Sequence, residues 1–256
     1  MTKHKITIMT ISSVFAVWLL LTWTLIPETI LPSPQSVLDA AMRRPGSLLG
    51  NAGITLLRVL LGWGFGVYAG MKVGLRMTRS STFCAVMHPL LEIVRPIPPI
   101  ALTPFFILWF GLGIFGQVLL IALGCFMVLA IHTYIAVENV PPIYVRAAAT
   151  LGANRDQVYS TVIVPAITPA LLSGLRVAAG LAFALAIAAE LLGAQRGIGF
   201  MMMVARRTLN TDVILLGIVV IGAESYLFDT ILRYSFARLG KWTESPRSVV
   251  SLVHTK

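Results

Sequence analysis

Arg-Ala-Ala-Ala-Thr-Leu-Gly-Ala-Asn-Arg-Asp-Gln-Val-Tyr-Ser-Thr-Val-Ile-Val-Pro, running from Arg146 to Pro165, is a polar island between two strongly apolar stretches, 116–137 and 166–192. Each flank exceeds the roughly 20 residues that a helix needs to cross a bilayer. The island is too polar to continue either of them and reads as a segment outside the membrane. Ahead of it, Pro141-Pro142 ends the preceding helix, because proline lacks an N–H and its ring clashes with the turn before it. A new helix is expected over 143–160. Val145, Ala148, Ala149 and Gly152 would form one small, smooth face open to close approach by another backbone, leaving Arg146, Arg155 and Asp156 to solvent or to charges on a partner. Local pattern alone also fits an amphipathic helix lying on lipid headgroups.

Working outward, the whole chain has the same character. Of 256 residues, 57% are hydrophobic and 12% charged, where a soluble domain carries roughly a quarter charged. The mean hydropathy of +0.86 agrees. The fold class is an all-α integral membrane protein, read as a single domain over 1–256 with spans at about 6–26, 51–75, 82–111, 116–137, 166–192 and 212–233. The first is taken as uncleaved, since Pro27-Glu28 follows where a signal peptide has a small-residue cleavage site. Leu31-Pro32-Ser33-Pro34 is a turn in which Ser33 or Ser36 can cap a short amphipathic helix through Met42. The third span is kinked by Pro89, Pro96, Pro98, Pro99 and Pro104.

Six spans put both ends on one side, and the positive-inside rule chooses which. With the N-terminus inside, the cytoplasmic segments carry Lys3, Lys5, Lys72, Arg76, Arg79, Arg146, Arg155, Arg233, Arg238, Lys241, Arg247 and Lys256. The other side has Arg43, Arg44, Arg196, Arg206 and Arg207. An N-in, C-in chain follows, with the Arg146–Pro165 island in the cytoplasm. The net charge of +10 is thereby explained by topology. Nucleic-acid binding is not expected, because the basic residues are spread among loops without interleaved aromatics. Cys84 and Cys125 lie in apolar runs with no second Cys at metal-ligand spacing, so they read as small buried hydrophobes.

The island's spacing resembles the signature of bacterial ABC-importer permeases: Glu-Ala-Ala, three residues, Gly, nine residues, Ile-x-Leu-Pro. The matching positions are Arg146, Ala147, Ala148, Gly152, Val162, Val164 and Pro165, with Arg146 where the family has Glu. Three further stretches are similar to the nitrate/sulfonate/taurine group of these permeases, and most to the taurine permeases. They are Leu31-Pro32-Ser33-Pro34; Arg95-Pro96-Ile97-Pro98-Pro99-Ile100-Ala101 with Trp109-Phe110-Gly111-Leu112-Gly113; and Ala188-Ala189-Glu190-Leu191 with Arg196-Gly197-Ile198-Gly199-Phe200-Met201. The resemblance implies a type I importer permease of the bacterial inner membrane, working as a homodimer with two cytoplasmic ATPase subunits and a periplasmic or lipid-anchored substrate-binding protein. It implies that the island is a cytoplasmic coupling helix between spans four and five, with Arg146, Ala147, Ala148, Gly152, Ala153, Arg155 and Pro165 facing the ATPase. No cofactor is expected on this chain, ATP and Mg2+ belonging to the partner subunits. The chain has no Gly-x-x-x-x-Gly-Lys-Ser/Thr motif.

Charges inside the spans are the other candidates for function. Arg58, Glu92, Arg95, Arg176, Glu190 and Glu224 fall in or near spans, where each costs at least ~2.5 kcal/mol if exposed to lipid. They should face protein or water. Glu92 and Arg95 share a helical face and can pair. Arg58, Arg95 and Arg176 come from three spans and can line one pathway for an oxyanion, which the guanidinium fork suits; alternatively Arg58 and Arg176 pair with Glu190 or Glu224 and hold helices together. The prolines around Arg95 free backbone carbonyls, tolerated only inside protein or against water, or they simply kink the helix. Arg58, Glu92, Arg95, Pro96, Pro98, Pro99, Arg176 and Glu190 are thus the candidate pathway or gate residues. His88 and His132 stand alone on apolar helices and receive no role; Met201–Met203 are either an outer docking patch or packing between spans.

The expected function is the transmembrane subunit of an ATP-driven importer for a small anion, itself not an enzyme. An ion-coupled secondary transporter is the alternative, but it would place paired acids on broken helices and commonly shows internal repeats. A membrane enzyme would cluster His or Asp/Glu at the interface. Neither pattern is present.

Overall fold

Four glycines at four-residue spacing, Gly62, Gly66, Gly70 and Gly74, decide which two helices come closest. In a computed structural model, which describes residues 3–24 and 27–239, they lie along the 35-residue helix α3 (Pro45–Arg79) and face α6 (Ile114–Glu138). A Cβ on Gly70 would stand 2.6 Å from the Phe126 carbonyl, and one on Gly74 2.7 Å from that of Ala130. With no side chain in the way, the backbones approach closely enough for dispersion to hold them, the usual means where lipid removes the hydrophobic drive between helices.

Before this pair come α1 (Lys3–Thr24) and the short α2 (Pro34–Arg43). Ser33 caps α2 by accepting from the Ser36 N–H at 3.3 Å, as its position before Pro34 suggests. After α3 come α4 (Ser81–Val94), a 3-10 turn (Pro99–Leu102) and α5 (Thr103–Phe110). The chain continues beyond α6 with α7 (Pro142–Thr150), α8 (Arg155–Val158), a π-turn (Tyr159–Ile163), α9 (Val164–Gly193), α10 (Ile198–Arg207) and α11 (Thr211–Leu239). The core lies where α3, α6, α9 and α11 meet. Val59, Ile121, Leu129, Ala182 and Phe183 are buried there, the Trp63 ring stands edge-on to Phe228, and its N–H donates to the Leu175 carbonyl at 3.1 Å. Cys125 is buried in this core and Cys84 is half-buried among apolar neighbours.

Among the described residues, four helical segments are long and apolar enough to cross a membrane: Pro45–Arg79, Ile114–Glu138, Arg155–Gly193 and Thr211–Ser235. A fifth arises if α4 and the Pro99–Phe110 segment, bent by 83°, count as one. The expected kinked span over 82–111 is therefore two pieces. Pro96, Pro98 and Pro99 withhold three N–H groups within four residues, which no single helix survives. The second span is longer than 51–75 and starts at Pro45, a proline suited to the first helical turn. The fifth begins not near Ala166 but at Arg155, inside the polar island. The stretch after Gly193, expected as a connection, holds α10. Ile26, the expected end of the first span, and Lys241, Arg247 and Lys256 of the charge count lie outside the described residues.

Candidate functional site

Three polar places stand out, and the Arg146–Pro165 island is the first. Its expected continuous helix over 143–160 is broken. α7 ends in a Schellman turn: the Ala153 N–H donates to the Ala148 carbonyl at 3.1 Å and the Gly152 N–H to that of Ala149 at 3.0 Å. Gly152 sits at φ +83°, which glycine adopts without a Cβ penalty. Asn154 then starts α8 with a capping box, its Oδ1 accepting from the Gln157 N–H at 2.9 Å while Gln157 Oε1 accepts from the Asn154 N–H at 2.8 Å. Gly152 is thus a helix terminator, not part of a smooth helical face. Of that expected face, Val145 and Ala148 are half-buried. The exposed apolar side chains are Ile143, Tyr144 and Leu151, the last 88% accessible. Tyr144, Ala147, Ala148 and Leu151 join Thr161, Val162 and Ala166 in an open groove of about 430 Å³. Arg146, Arg155 and Asp156 stay exposed, and Ala153 is half-buried.

This segment is tied to α3 beneath it. Val158 and Tyr159 are buried. The Tyr159 hydroxyl bonds the Thr78 hydroxyl and donates to the Leu75 carbonyl at 3.1 Å, and the Arg79 guanidinium lies 4.1 Å over its ring. The widened turn at Tyr159–Ile163 immediately precedes Pro165. That proline cannot donate to the Thr161 carbonyl and crowds it, so the backbone opens to a π-turn.

The second place is a sealed knot. Glu190 of α9 is fully buried, and Arg58 of α3 donates to its Oε1 at 2.5 Å. Thr55 donates to the same carboxylate at 2.9 Å and accepts from the Ile198 N–H at 2.9 Å. The Gly199 N–H donates to Glu190 Oε2 at 2.8 Å, and the Gly197 N–H to Asn51 Oδ1 at 2.9 Å. Arg58 also donates to the Arg196 carbonyl at 2.8 Å. A carboxylate from one helix therefore caps the N-terminus of another, where free N–H groups and the helix dipole favour negative charge. Gly197, at φ +124°, is required because a Cβ there would collide with the Glu190 carboxylate. α3, α9 and α10 are locked together at this point.

The third place is the break between α4 and α5. Arg95 ends α4, its N–H donating to the Leu91 carbonyl at 2.8 Å, and its side chain lines two adjoining cavities. One, of about 360 Å³, is otherwise apolar except for His132 and reaches Pro99, Gly124 and Val177. The other, of about 240 Å³, holds His88, Glu92, Tyr134 and Glu138.

The structure thus separates the arginines expected on one pathway. Arg58 bonds Glu190, as the alternative reading had it. Arg176 pairs with neither Glu190 nor Glu224 but with Asp229, five residues beyond Glu224 on α11, at 2.6 Å and 3.0 Å. Of the three, Arg95 lines a cavity and has no carboxylate bound to it among the described residues. The expected Glu92–Arg95 pair does not form, since Arg95 already belongs to the bend; Glu92 instead meets His88 Nδ1 at 3.8 Å. Pro96 and Pro98 are exposed in the break and Pro99 is half-buried. Met202 packs at Gly217 on α11, and Met201 lines a cavity of about 490 Å³ under α2, so this methionine run packs between helices. Sequence reasoning missed His132, Tyr159 and Thr55. His132 stands alone in an apolar run, and Tyr159 is one of several polar residues in the island; Thr55 is legible only as the residue one turn before Arg58.

Comparison with known proteins places these features in a family. Residues 62–241 match the family described as binding-protein-dependent transport system inner membrane component. The chain is 37% identical to the taurine transport system permease protein TauC of Escherichia coli over 88% of this chain and 84% of that one. It is 32% identical to the putative aliphatic sulfonates transport permease protein SsuC of Bacillus subtilis, over 86% and 80%. In fold it resembles a chain of the MetNI methionine ABC transporter solved in inward-facing conformations, with a TM-score of 0.59, 20% identity, and coverage of 75% of this chain and 97% of that one. The chain belongs to the binding-protein-dependent transport system inner membrane components, as a non-catalytic, multi-pass permease of the inner membrane.

Proposed function

We propose that this chain is the transmembrane subunit of an ATP-driven importer for a small sulfonate, taurine or an alkanesulfonate being the class suggested by its relatives. Two copies form the pathway, two cytoplasmic ATPase subunits dock on α7, and a binding protein delivers the solute at the opposite face. In this arrangement α1, 22 residues long, is the remaining span of six, both termini are cytoplasmic, and ATP with its Mg2+ is bound by the ATPase subunits.

The observation that carries the reading is the α7 groove. Tyr144, Ala147 and Leu151 present apolar surface on a segment whose polar neighbours rule out immersion in lipid. An exposed apolar patch rimmed by polar residues marks an interaction site. The same segment is anchored through Tyr159 to the end of α3, so that a push on α7 is delivered to a membrane helix. Arg146 is exposed on α7 and offers a cation where the family signature has a carboxylate. The test is copurification. Leu151→Asp, which leaves the fold untouched because the side chain is exposed, should reduce ATPase bound to the permease by about tenfold, as loss of an apolar anchor does. Unchanged ATPase binding in that variant, or transport driven by a proton gradient without ATP, would sink the reading.

A further inference from the structure

Arg95 is an arginine in the break of a membrane segment whose side chain has no hydrogen bond or ion pair among the described residues. It lies at the level of α6 residues near Ile131, about five turns of helix in from Gly113 and two from Asn139 by the helical rise. A cation at such depth needs water or a counter-ion. His132, across the larger cavity, also makes no hydrogen bond there. In the adjoining cavity the polarity reverses: among the described residues Glu92 meets only His88, and Glu138 accepts from the Tyr134 hydroxyl at 2.5 Å. The two cavities share Arg95, Ile131 and Ile135 as walls. A cationic recess and an acidic recess thus open side by side.

We propose that these recesses are a transit site for a small zwitterion with an oxyanion head, the head held by Arg95 and His132 and the ammonium end turned to Glu92. The site rests on the importer reading above and narrows its cargo from sulfonates in general to aminosulfonates. A guanidinium forks onto two oxygens of a sulfonate, and an imidazole N–H supplies a third donor. A simple anion would answer Arg95 and leave the acidic recess unanswered. A zwitterion answers both while carrying no net charge through the low-dielectric region. The combined volume, about 360 Å³ beside about 240 Å³, leaves room for the cargo with some of its water.

The experiment uses the complete transporter, this chain with its ATPase and binding protein, in liposomes. It measures radiolabelled taurine taken up per ATP hydrolysed. Arg95→Ala should lower this ratio by about tenfold, the effect of losing a charge-assisted hydrogen bond to the cargo, with Arg95→Lys between it and the wild type. Glu92→Gln should lower it severalfold, and it keeps the test open if Arg95→Ala fails to insert. Vesicles with and without phosphatidylethanolamine separate cargo from lipid, since that headgroup carries the same two charges. An Arg95 effect confined to the former assigns the recesses to lipid and overturns the transit site. If wild-type transporter moves no taurine with ATP, the importer reading for this cargo fails and the site with it. If it moves taurine and both variants match it, the site alone is wrong.

Discussion

The knot at Glu190 and the break at Arg95 both put charge inside a membrane protein, and they treat it in opposite ways. At the knot the carboxylate is answered from within: Arg58, Thr55 and the Gly199 N–H converge on the fully buried Glu190. At the break the Arg95 side chain has no hydrogen bond or ion pair among the described residues and lines open volume. Desolvating a charge is costly, and a buried ion pair offsets that only when geometry and extra hydrogen bonds are good. The knot meets this condition and fixes three helices. At the break Arg95 is exposed, so its charge stays within reach of water or of a group from outside the chain.

The largest expected effect breaks the knot. Arg58→Leu leaves Glu190 buried with no cation, a loss of about 3–5 kcal/mol by analogy with other broken buried pairs. Thermal unfolding in detergent should show the variant largely unfolded or unrecovered. Arg58→Leu combined with Glu190→Leu should regain much of the loss, because neither charge is then stranded; a double variant no better than the single would deny that the pair acts as a unit. Next comes the packing that brings α3 into position. Gly66→Val would drive side-chain atoms into the Ala122 backbone and Cys125 of α6. Overpacking of this kind costs about 1–3 kcal/mol, read as a lowered midpoint in the same experiment.

A smaller change tests the link between α7 and the membrane body. Tyr159→Phe keeps the ring under Arg79 and removes only the hydroxyl that joins Thr78 and the Leu75 carbonyl. About 1 kcal/mol of stability is at stake. If the ring alone positions the segment, ATP hydrolysis and transport remain in step. If the hydroxyl transmits motion, solute moved per ATP falls while the ATPase still copurifies, which is the outcome expected here.

Much of this was legible in the sequence, for reasons that can be named. Long apolar runs gave the helices at 114–138 and 211–239 because a span needs about 20 apolar residues and little else. The proline stop at Pro141-Pro142 and the Ser33 cap are local chemistry and are found where expected. The Gly152 break is masked by the Ala-Ala-Ala run, which carries helical spacing up to it, although Gly followed two residues later by Asn is itself a stop and a start. The glycine stripe of α3 was equally visible and went unread, since its meaning depends on a partner helix. Partner choice is narrowed by the sequence to alternatives but not decided by it. Nothing local says that Arg58 pairs with Glu190, 132 residues away, rather than lining a pathway with Arg95.

The smallest expected effect on stability is therefore the most informative. Arg95→Ala removes no hydrogen bond or ion pair within the described residues and no buried contact of the core. Its unfolding midpoint should match the wild type to within about 0.5 kcal/mol, as for substitutions away from packed or paired groups. Set beside Arg58→Leu, the result compares two intramembrane arginines in one measurement. A chain that loses its fold without Arg58 and keeps it without Arg95 uses the first as structure and leaves the second free. Should Arg95→Ala destabilise as strongly as Arg58→Leu, Arg95 must have a partner in the assembled protein, and the carboxylates of its neighbouring recess, Glu92 first, are where a second variant would look for it.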